Sequence, residues 1–271
     1  MRAVLKYPGS KWNIASQIVD MMPSHHSYVE PYFGSGAVLF NKSPSNIETI
    51  NDLDNDVVNL FQCIKEDSEK LSRLVAATPF SRIEYDTAFE SCQNITDQYE
   101  KAVRFLVKCW QGHGFRTNGY KVGWKNDVQG RERSYALWNW YRLPGWIMEI
   151  AERLRTVQIE NRPAIEVIKR FNFKNVLMYL DPPYILGTRA GKQYKHEMSD
   201  AEHEELLRTI LQSEAKIVIS GYESDMYNDY LRNWNKRTFH SNAEYGLKRE
   251  EIVWFNFETD KQMNLFEFIG E

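Results

Sequence analysis

Val176-Leu-Met-Tyr-Leu-Asp-Pro-Pro-Tyr184 decides the fold. Its first five residues form an unbroken apolar run, the mark of a strand buried on both faces, and such strands belong to parallel sheets covered by helices. The run stops at an acid and two prolines, so the polar residues sit at the carboxyl end of the strand, where open α/β sheets place their sites. The prolines fix the backbone and remove two N–H donors, leaving carbonyls as acceptors. An exocyclic amino group carries two hydrogens and needs two acceptors. The Asp181 carboxylate and the Pro182 carbonyl can supply them, Pro183 holds the turn, and Tyr184 can stack on the ring that bears the amine. The alternative is a proline-rich turn that merely closes a strand. An Asp-Pro-Pro-Tyr tetrapeptide at a strand end favours the site.

Working outward, Ser27–Glu30 and residues 47–50, 216–220 and 252–257 are further short runs rich in β-branched, Leu or aromatic residues, and they read as strands. Ile14, Ile18, Val19 and Met22 recur at helical spacing, as do Leu206, Leu207, Ile210 and Leu211. Ser199 and Glu202 form the S-x-x-E pattern of a capping box that starts the second of these helices. Strand, turn, helix, strand is the α/β pattern with a mostly parallel sheet. Residues 61–154 break the alternation and read as a mostly helical insertion.

Two more motifs sit at strand ends. Tyr28-Val-Glu-Pro-Tyr-Phe-Gly-Ser-Gly-Ala37 places Gly34 and Gly36 two apart between a strand and a helix, where the missing Cβ lets a ligand approach the backbone. Leu39 occupies the position of a third glycine, and a structural tight turn is an equal alternative. Ile50-Asn-Asp-Leu-Asp54 follows the next strand; Asp52 or Asp54 is placed for ribose hydroxyls, and either could instead cap the helix that follows.

The 271 residues carry a net charge of −3, which taken whole argues against a nucleic-acid binder. The sum conceals a division. Residues 101–142 hold nine basic residues, Lys125, Arg131 and Arg133 among them, against two acids, a balance of +7 that leaves −10 for the rest. Nine aromatics share the same stretch, a mixture suited to phosphate neutralisation and base stacking, or else to a solvated helical face over an aromatic core. Three Cys (Cys63, Cys92, Cys109) without C-x-x-C spacing suggest neither a disulfide framework nor a zinc site, and no metal is expected. No apolar run is long enough to span a membrane, and a reduced cytoplasmic setting is expected.

In motif order the chain resembles the Dam-like N6-adenine DNA methyltransferases. Lys6-Tyr-Pro-Gly-Ser-Lys11 resembles the family's K-W-x-G-G-K, residues 29–38 its V-E-P-F-x-G-x-G-x-V, residues 51–60 its N-D-x-N-x-x-L, and residues 181–184 its D-P-P-Y. The resemblance implies a Rossmann-like S-adenosylmethionine (SAM)-dependent methyltransferase fold, with a catalytic domain of residues 1–60 and 155–271 and an inserted target-recognition domain of residues 61–154. It implies SAM contacts from Tyr7, Lys11, Glu30, Tyr32, Gly34, Gly36, Asp52 and Asp181, and a flipped-out adenine held by Asp181, Pro182 and Tyr184. It assigns DNA contacts to Lys6 and to Arg116, Asn118 and Lys121 of a hairpin-like part of the insertion. It further implies double-stranded DNA as substrate, a bacterial or bacteriophage-infected cell, a cognate restriction endonuclease as companion, and a monomer or weak dimer. Pro163 stands where relatives often carry Asp near the SAM adenine, with Glu160 or the backbone at Ala164 as substitutes. An N4-cytosine methyltransferase has the same need for two acceptors but usually carries Ser first in the tetrapeptide. A DNA-binding relative that has lost transfer draws its support from Pro163 alone.

Overall fold

In a computed structural model of the chain, the described residues are 1–90, 95–126, 128, 134–188, 191–242 and 248–259. In chain order the elements are α1 (Ala15–Val19), β1 (Ser27–Glu30), β2 (Ile47–Asn51), α2 (Asn55–Ala77), α3 (Arg82–Ala88), α4 (Gln98–Gln111), α5 (Tyr135–Leu154), β3 (Val157–Glu160), α6 (Ala164–Arg170), β4 (Val176–Leu180), α7 (Asp200–Leu211), β5 (Lys216–Gly221), α8 (Asp225–Tyr230), β6 (Asn235–Asn242) and β7 (Lys248–Phe255). Seven strands form one sheet in the order β3-β2-β1-β4-β5-β7-β6, the Rossmann-like arrangement of a methyltransferase fold. The first five in that order run parallel, with Tyr28 of β1 opposite Glu48 of β2 and Leu177 of β4. β7 runs antiparallel to both β5 and β6.

The apolar run of β4 is buried throughout because both faces of the sheet are covered. Its side chains alternate between two cores. Leu177 and Tyr179 join Tyr28, Phe61 and Leu106 on one face; Val176, Met178 and Leu180 join Leu206, Leu207 and Ile210 on the other. The Ser199–Glu202 capping box is present at the start of α7. The expected early helix is short, with Ile18 buried inside it and Ile14 buried at its N-cap. Two strands escaped the sequence pattern: β3, of four residues, and β6, a polar strand at the far edge.

Among the described residues of 61–154 the helices are most of α2, then α3, α4 and α5, with α2 packed on α4 and α5. α2 itself begins at Asn55 and runs past residue 60, with a non-helical kink at Asp67. α5 is tied back to the sheet by charge. Arg153 near its end forms a bidentate pair with Glu48 of β2, at 2.5 and 2.8 Å, and Lys42 meets the same carboxylate at 2.9 Å. All three side chains are buried. Burial opposes the Glu48 charge, but Arg153 and Lys42 outweigh it and hold the carboxyl below its usual range.

Removing one member of such a buried pair strands its partner's charge. Arg153→Ala is therefore expected to cost about 3 kcal/mol of stability in urea unfolding at neutral pH, and Glu48→Gln combined with Arg153→Met to recover more than half of that loss.

Candidate active site

Strand order reverses between β1 and β4, and a crevice opens at their carboxyl ends. A cleft of about 460 Å³ occupies it. Of the residues expected to bind cofactor, Tyr7, Lys11, Glu30, Tyr32, Gly34, Asp52 and Asp181 line this cleft, and Pro183 joins them. Gly36 lies beneath: at φ +68°, a Cβ there would stand 2.4 Å from Phe33 Cζ and 2.5 Å from Phe40 Cε2, so this glycine serves close packing of the turn. Gly34, at φ +50°, faces the cleft, and a Cβ would press on the Tyr7 ring at 3.2 Å.

The two acids after β2 divide the roles that the sequence left open. Asp52 Oδ2 accepts the Gly34 N–H at 2.8 Å, and its Oδ1 accepts the Asp54 N–H at 2.9 Å. Asp54 caps α2 by accepting the Asp56 N–H at 3.1 Å. Asn51, quoted in the motif but given no role, fixes the strand ends. Its amide donates to the Pro31 carbonyl at 2.8 Å and the Arg162 carbonyl at 3.0 Å. On the far wall, Pro163 precedes α6, and Ala164, Ile165 and Lys169 line the cleft. Glu160 is held by Arg170 at 3.0 Å and Arg162 at 3.4 Å, and Ala164 lines the cleft.

Asp181 pairs with Lys11 at 3.0 Å. The Lys11 ammonium also donates to the Gly9 carbonyl and lies 4.8 Å from the centre of the Tyr184 ring. Burial disfavours the Lys11 charge, but Asp181 and Glu251 override it and raise its pKa. Asp181 is itself raised, first by burial and then by Glu251, with Lys11 in opposition. Pro182 and Tyr184 are buried behind the cleft. The Tyr184 ring meets Tyr222 edge-on at 4.5 Å, and its hydroxyl donates to Glu251 Oε2 at 2.6 Å. Glu251 had no role in the sequence reading.

The insertion reaches the cleft through the loop after the tetrapeptide. Residues 111–125 fold back as a hairpin, bridged at Gly112 and Trp124. Thr117 N–H donates to the Gln193 carbonyl at 2.9 Å, and Lys195 N–H donates to Thr117 Oγ1 at 2.7 Å. Asn118, expected at a base edge, donates to the Lys192 carbonyl at 3.0 Å, and Lys121 pairs with Asp86 at 2.7 Å. Tyr194, His196 and Glu197 line the cleft, and the Tyr194 hydroxyl donates to the Pro8 carbonyl at 3.0 Å. Lys195 reaches Asp54 at 3.5 Å. Arg116 is exposed, lying 5.0 Å from the centre of the Tyr120 ring, and Lys125 is half-buried. Lys6 packs over the Trp110 ring at 4.0 Å. Arg131 and Arg133 lie outside the described residues. Of the nine aromatics, Phe105, Trp110 and Trp140 are core, while Tyr120, Tyr135, Trp138 and Tyr141 are exposed. Among the described residues no group of His, Cys, Asp and Glu is arranged to hold a metal, and no helix is long and apolar enough to cross a membrane.

A model of the D12 class N6 adenine-specific DNA methyltransferases matches residues 7–250. The chain is also similar to whole curated proteins. The type II methyltransferase M.MjaIII of Methanocaldococcus jannaschii is 23% identical, covering 87% of this chain and 89% of its own length. The retron Ec67 DNA adenine methylase of Escherichia coli is 24% identical, covering 93% and 88%. The type II methyltransferase M1.LlaDCHI of Lactococcus lactis subsp. cremoris is 24% identical, covering 92% and 90%.

Two cleft carboxyls carry a pH signature. Burial pushes Glu30 up to about 8, against the hydrogen bond that it accepts from the Tyr28 hydroxyl, and pushes Asp52 up to about 6. A cationic ligand favours their ionised forms, so binding expels protons and tightens as pH rises. The affinity for SAM is expected to increase between pH 6 and pH 8, by up to about tenfold per unit for each proton released. Calorimetry in buffers of different ionisation heat reads the proton count directly. Glu30→Gln should flatten the upper part of the profile.

Proposed function

This chain belongs to the D12 class N6 adenine-specific DNA methyltransferase family, and from that premise we propose how its residues divide the work of methylating N6 of adenine in DNA with S-adenosylmethionine. The observation that carries the assignment is the placement of Asp181 in the wall of the same cleft as Gly34 and Asp52. The residues present fit the cofactor. The Cβ-free approach at Gly34 admits a ligand close to backbone, and Asp52 is held in place by two N–H donors at the end of β2. Tyr7, Tyr32, Ala164 and Ile165 offer apolar walls, and Glu30 and Asp52 offer negative charge toward a cation. SAM supplies a methyl group activated on a sulfonium.

The protein's own contribution is positioning and electrostatics. An adenine inside a duplex is out of reach, so the target base must be flipped out. Its amino lone pair is delocalised into the ring and is a weak nucleophile. Acceptance of the two N6 hydrogens by Asp181 and the Pro182 carbonyl favours a tetrahedral nitrogen whose lone pair is free to react. Asp181 is already desolvated within the site, which strengthens each such hydrogen bond. Tyr184, fixed by Tyr222 and Glu251, provides the ring that faces the base.

Residues 61–154 act as the target-recognition domain, with Arg116, Tyr120 and Lys125 available to duplex DNA and Asn118 and Lys121 shaping the hairpin that presents them. Lys6 supports the same surface through Trp110. The buried thiols Cys63 and Cys109 suit a reducing cytoplasm. Likeness to two type II methyltransferases supports an endonuclease of matching specificity as companion.

Asp181→Ala is expected to reduce methyl transfer by about 10³-fold or more while leaving DNA binding largely intact. Digestion of treated DNA to nucleosides and mass spectrometry should show N6-methyladenine. N4-methylcytosine in its place would overturn the assignment. DNA binding should weaken steeply with salt, log K falling linearly against log salt, and loss of Arg116 and Lys125 should make that slope shallower by about one unit for each phosphate contact removed.

A further inference from the structure

Glu251 has had no individual role so far, yet it touches the active site twice. It reaches the site because β7 is antiparallel. The parallel strands β1, β4 and β5 end at the cleft, whereas β7 begins there. Glu251 pairs with Phe239 of β6, and its neighbour Ile252 pairs with Gly221 at the carboxyl end of β5. The side chain is buried, and its Oε2 accepts the Tyr184 hydroxyl at 2.6 Å while lying 3.9 Å from Lys11 Nζ. Lys11 is thus shared between two carboxylates, Asp181 at 3.0 Å and Glu251 at 3.9 Å.

We propose that Glu251 is a positioning residue that draws the Lys11 ammonium away from Asp181 when the target base arrives, and that anchors the Tyr184 ring at the same time. Asp181 is asked to do two competing things. In the free enzyme the partly buried carboxylate is paired with a cation, Lys11 on Oδ1. In the loaded enzyme the same carboxylate must accept an N6 hydrogen of the base, and a cation held on it draws off the charge that makes it a strong acceptor. Without a second carboxylate, releasing Lys11 would leave an uncompensated buried cation, and the exchange would be uphill. Glu251 is close enough to take over the charge with a small swing of the lysine. Its hydrogen bond to Tyr184 couples that swing to the ring over which Lys11 lies. The titratable groups facing the pair are Asp181, Tyr184 and Tyr179 from β4 and its turn, Glu30 from β1 and Tyr222 after β5.

The inference rests on the assignment of Asp181 to the target amine, and the experiment separates the two. Full-length enzyme, Glu251→Gln, Glu251→Ala and Asp181→Ala are compared for transfer of radiolabelled methyl from SAM to genomic DNA of a methylation-deficient bacterium. SAM affinity is measured by calorimetry alongside. Gln keeps an acceptor for Tyr184 but not the charge. Glu251→Gln is expected to lower kcat about tenfold or more with SAM affinity within threefold of the parent. The acidic limb of its pH–rate profile is expected to move to lower pH, because Asp181 loses a repelling neighbour and keeps Lys11 to itself. Glu251→Ala should fall further through loss of the Tyr184 anchor. An unchanged limb overturns the proposal, as does activity within threefold of the parent, while loss of SAM binding in both variants would assign Glu251 to the fold instead. An unaffected Asp181→Ala would sink the underlying assignment, whatever Glu251 does.

Discussion

The site depends on one constraint, the parallel pairing of β1 with β4 at the place where the strand order turns back on itself. Adjacent parallel strands end side by side, so Glu30 and the glycine turn after β1 lie next to Asp181 after β4. At such a reversal a crevice remains between the loops that follow the two strands. The Asp52–Gly34 hydrogen bond then joins the third strand end to the same edge. Three sequence motifs, separated by up to 150 residues, become one site because hydrogen bonding between strands leaves them no other place.

Such an edge is costly in charge. Glu30, Asp52, Asp54 and Asp181 converge on a cleft with a largely apolar lining, and burial raises all four pKa values. The protein keeps two of them charged with lysines from elsewhere in the chain, Lys11 for Asp181 and Lys195 for Asp54. The other two are left to backbone and tyrosine donors and remain readily protonated. A cationic ligand complements this electrostatic arrangement. The net acidity of the catalytic body, which at first argued against DNA, is in part this concentration of carboxylates. The excess of basic charge lies instead in residues 101–142.

The legibility of the fold followed burial. β4, β5 and the second half of β7 carry apolar runs, and β1 and β2 set β-branched or aromatic residues among buried polar ones, a composition that announces them. β3 is four residues of which only Val157 is buried. β6 reads Asn-Lys-Arg-Thr-Phe-His-Ser-Asn, the polar composition that protects an outer strand from pairing with another chain, and that same polarity hides it. At the site, residues inside contiguous motifs were visible and largely converge on the cleft. Residues delivered by tertiary pairing were not. Glu251 follows Glu250 at the head of the apolar run 252–257, and nothing in the pair marks one acid for the site. Only the antiparallel course of β7 turns one of them inward. Asn118 and Lys121 have chemistry that suits a base edge, and their contacts with Lys192 and Asp86, remote in sequence, were not legible there.

Those contacts bear on how the two parts of the enzyme are joined. The segment 191–197 touches the insertion at Thr117 and Asn118 and the cofactor cleft at Tyr194, Lys195, His196 and Glu197. It leaves the catalytic tetrapeptide by way of a loop only a few residues long. The hairpin that carries Arg116 and Tyr120 and the wall that closes over the cleft therefore share one set of hydrogen bonds, and neither can shift alone without breaking it. One backbone hydrogen bond, Thr117 to Gln193, and the side chains of Thr117 and Asn118 make the junction, and the same short segment carries the Tyr194 hydroxyl to Pro8 and the Lys195 ammonium to Asp54. The hairpin and the cofactor cleft are thus tied to one another through local contacts, with no long pathway through the core.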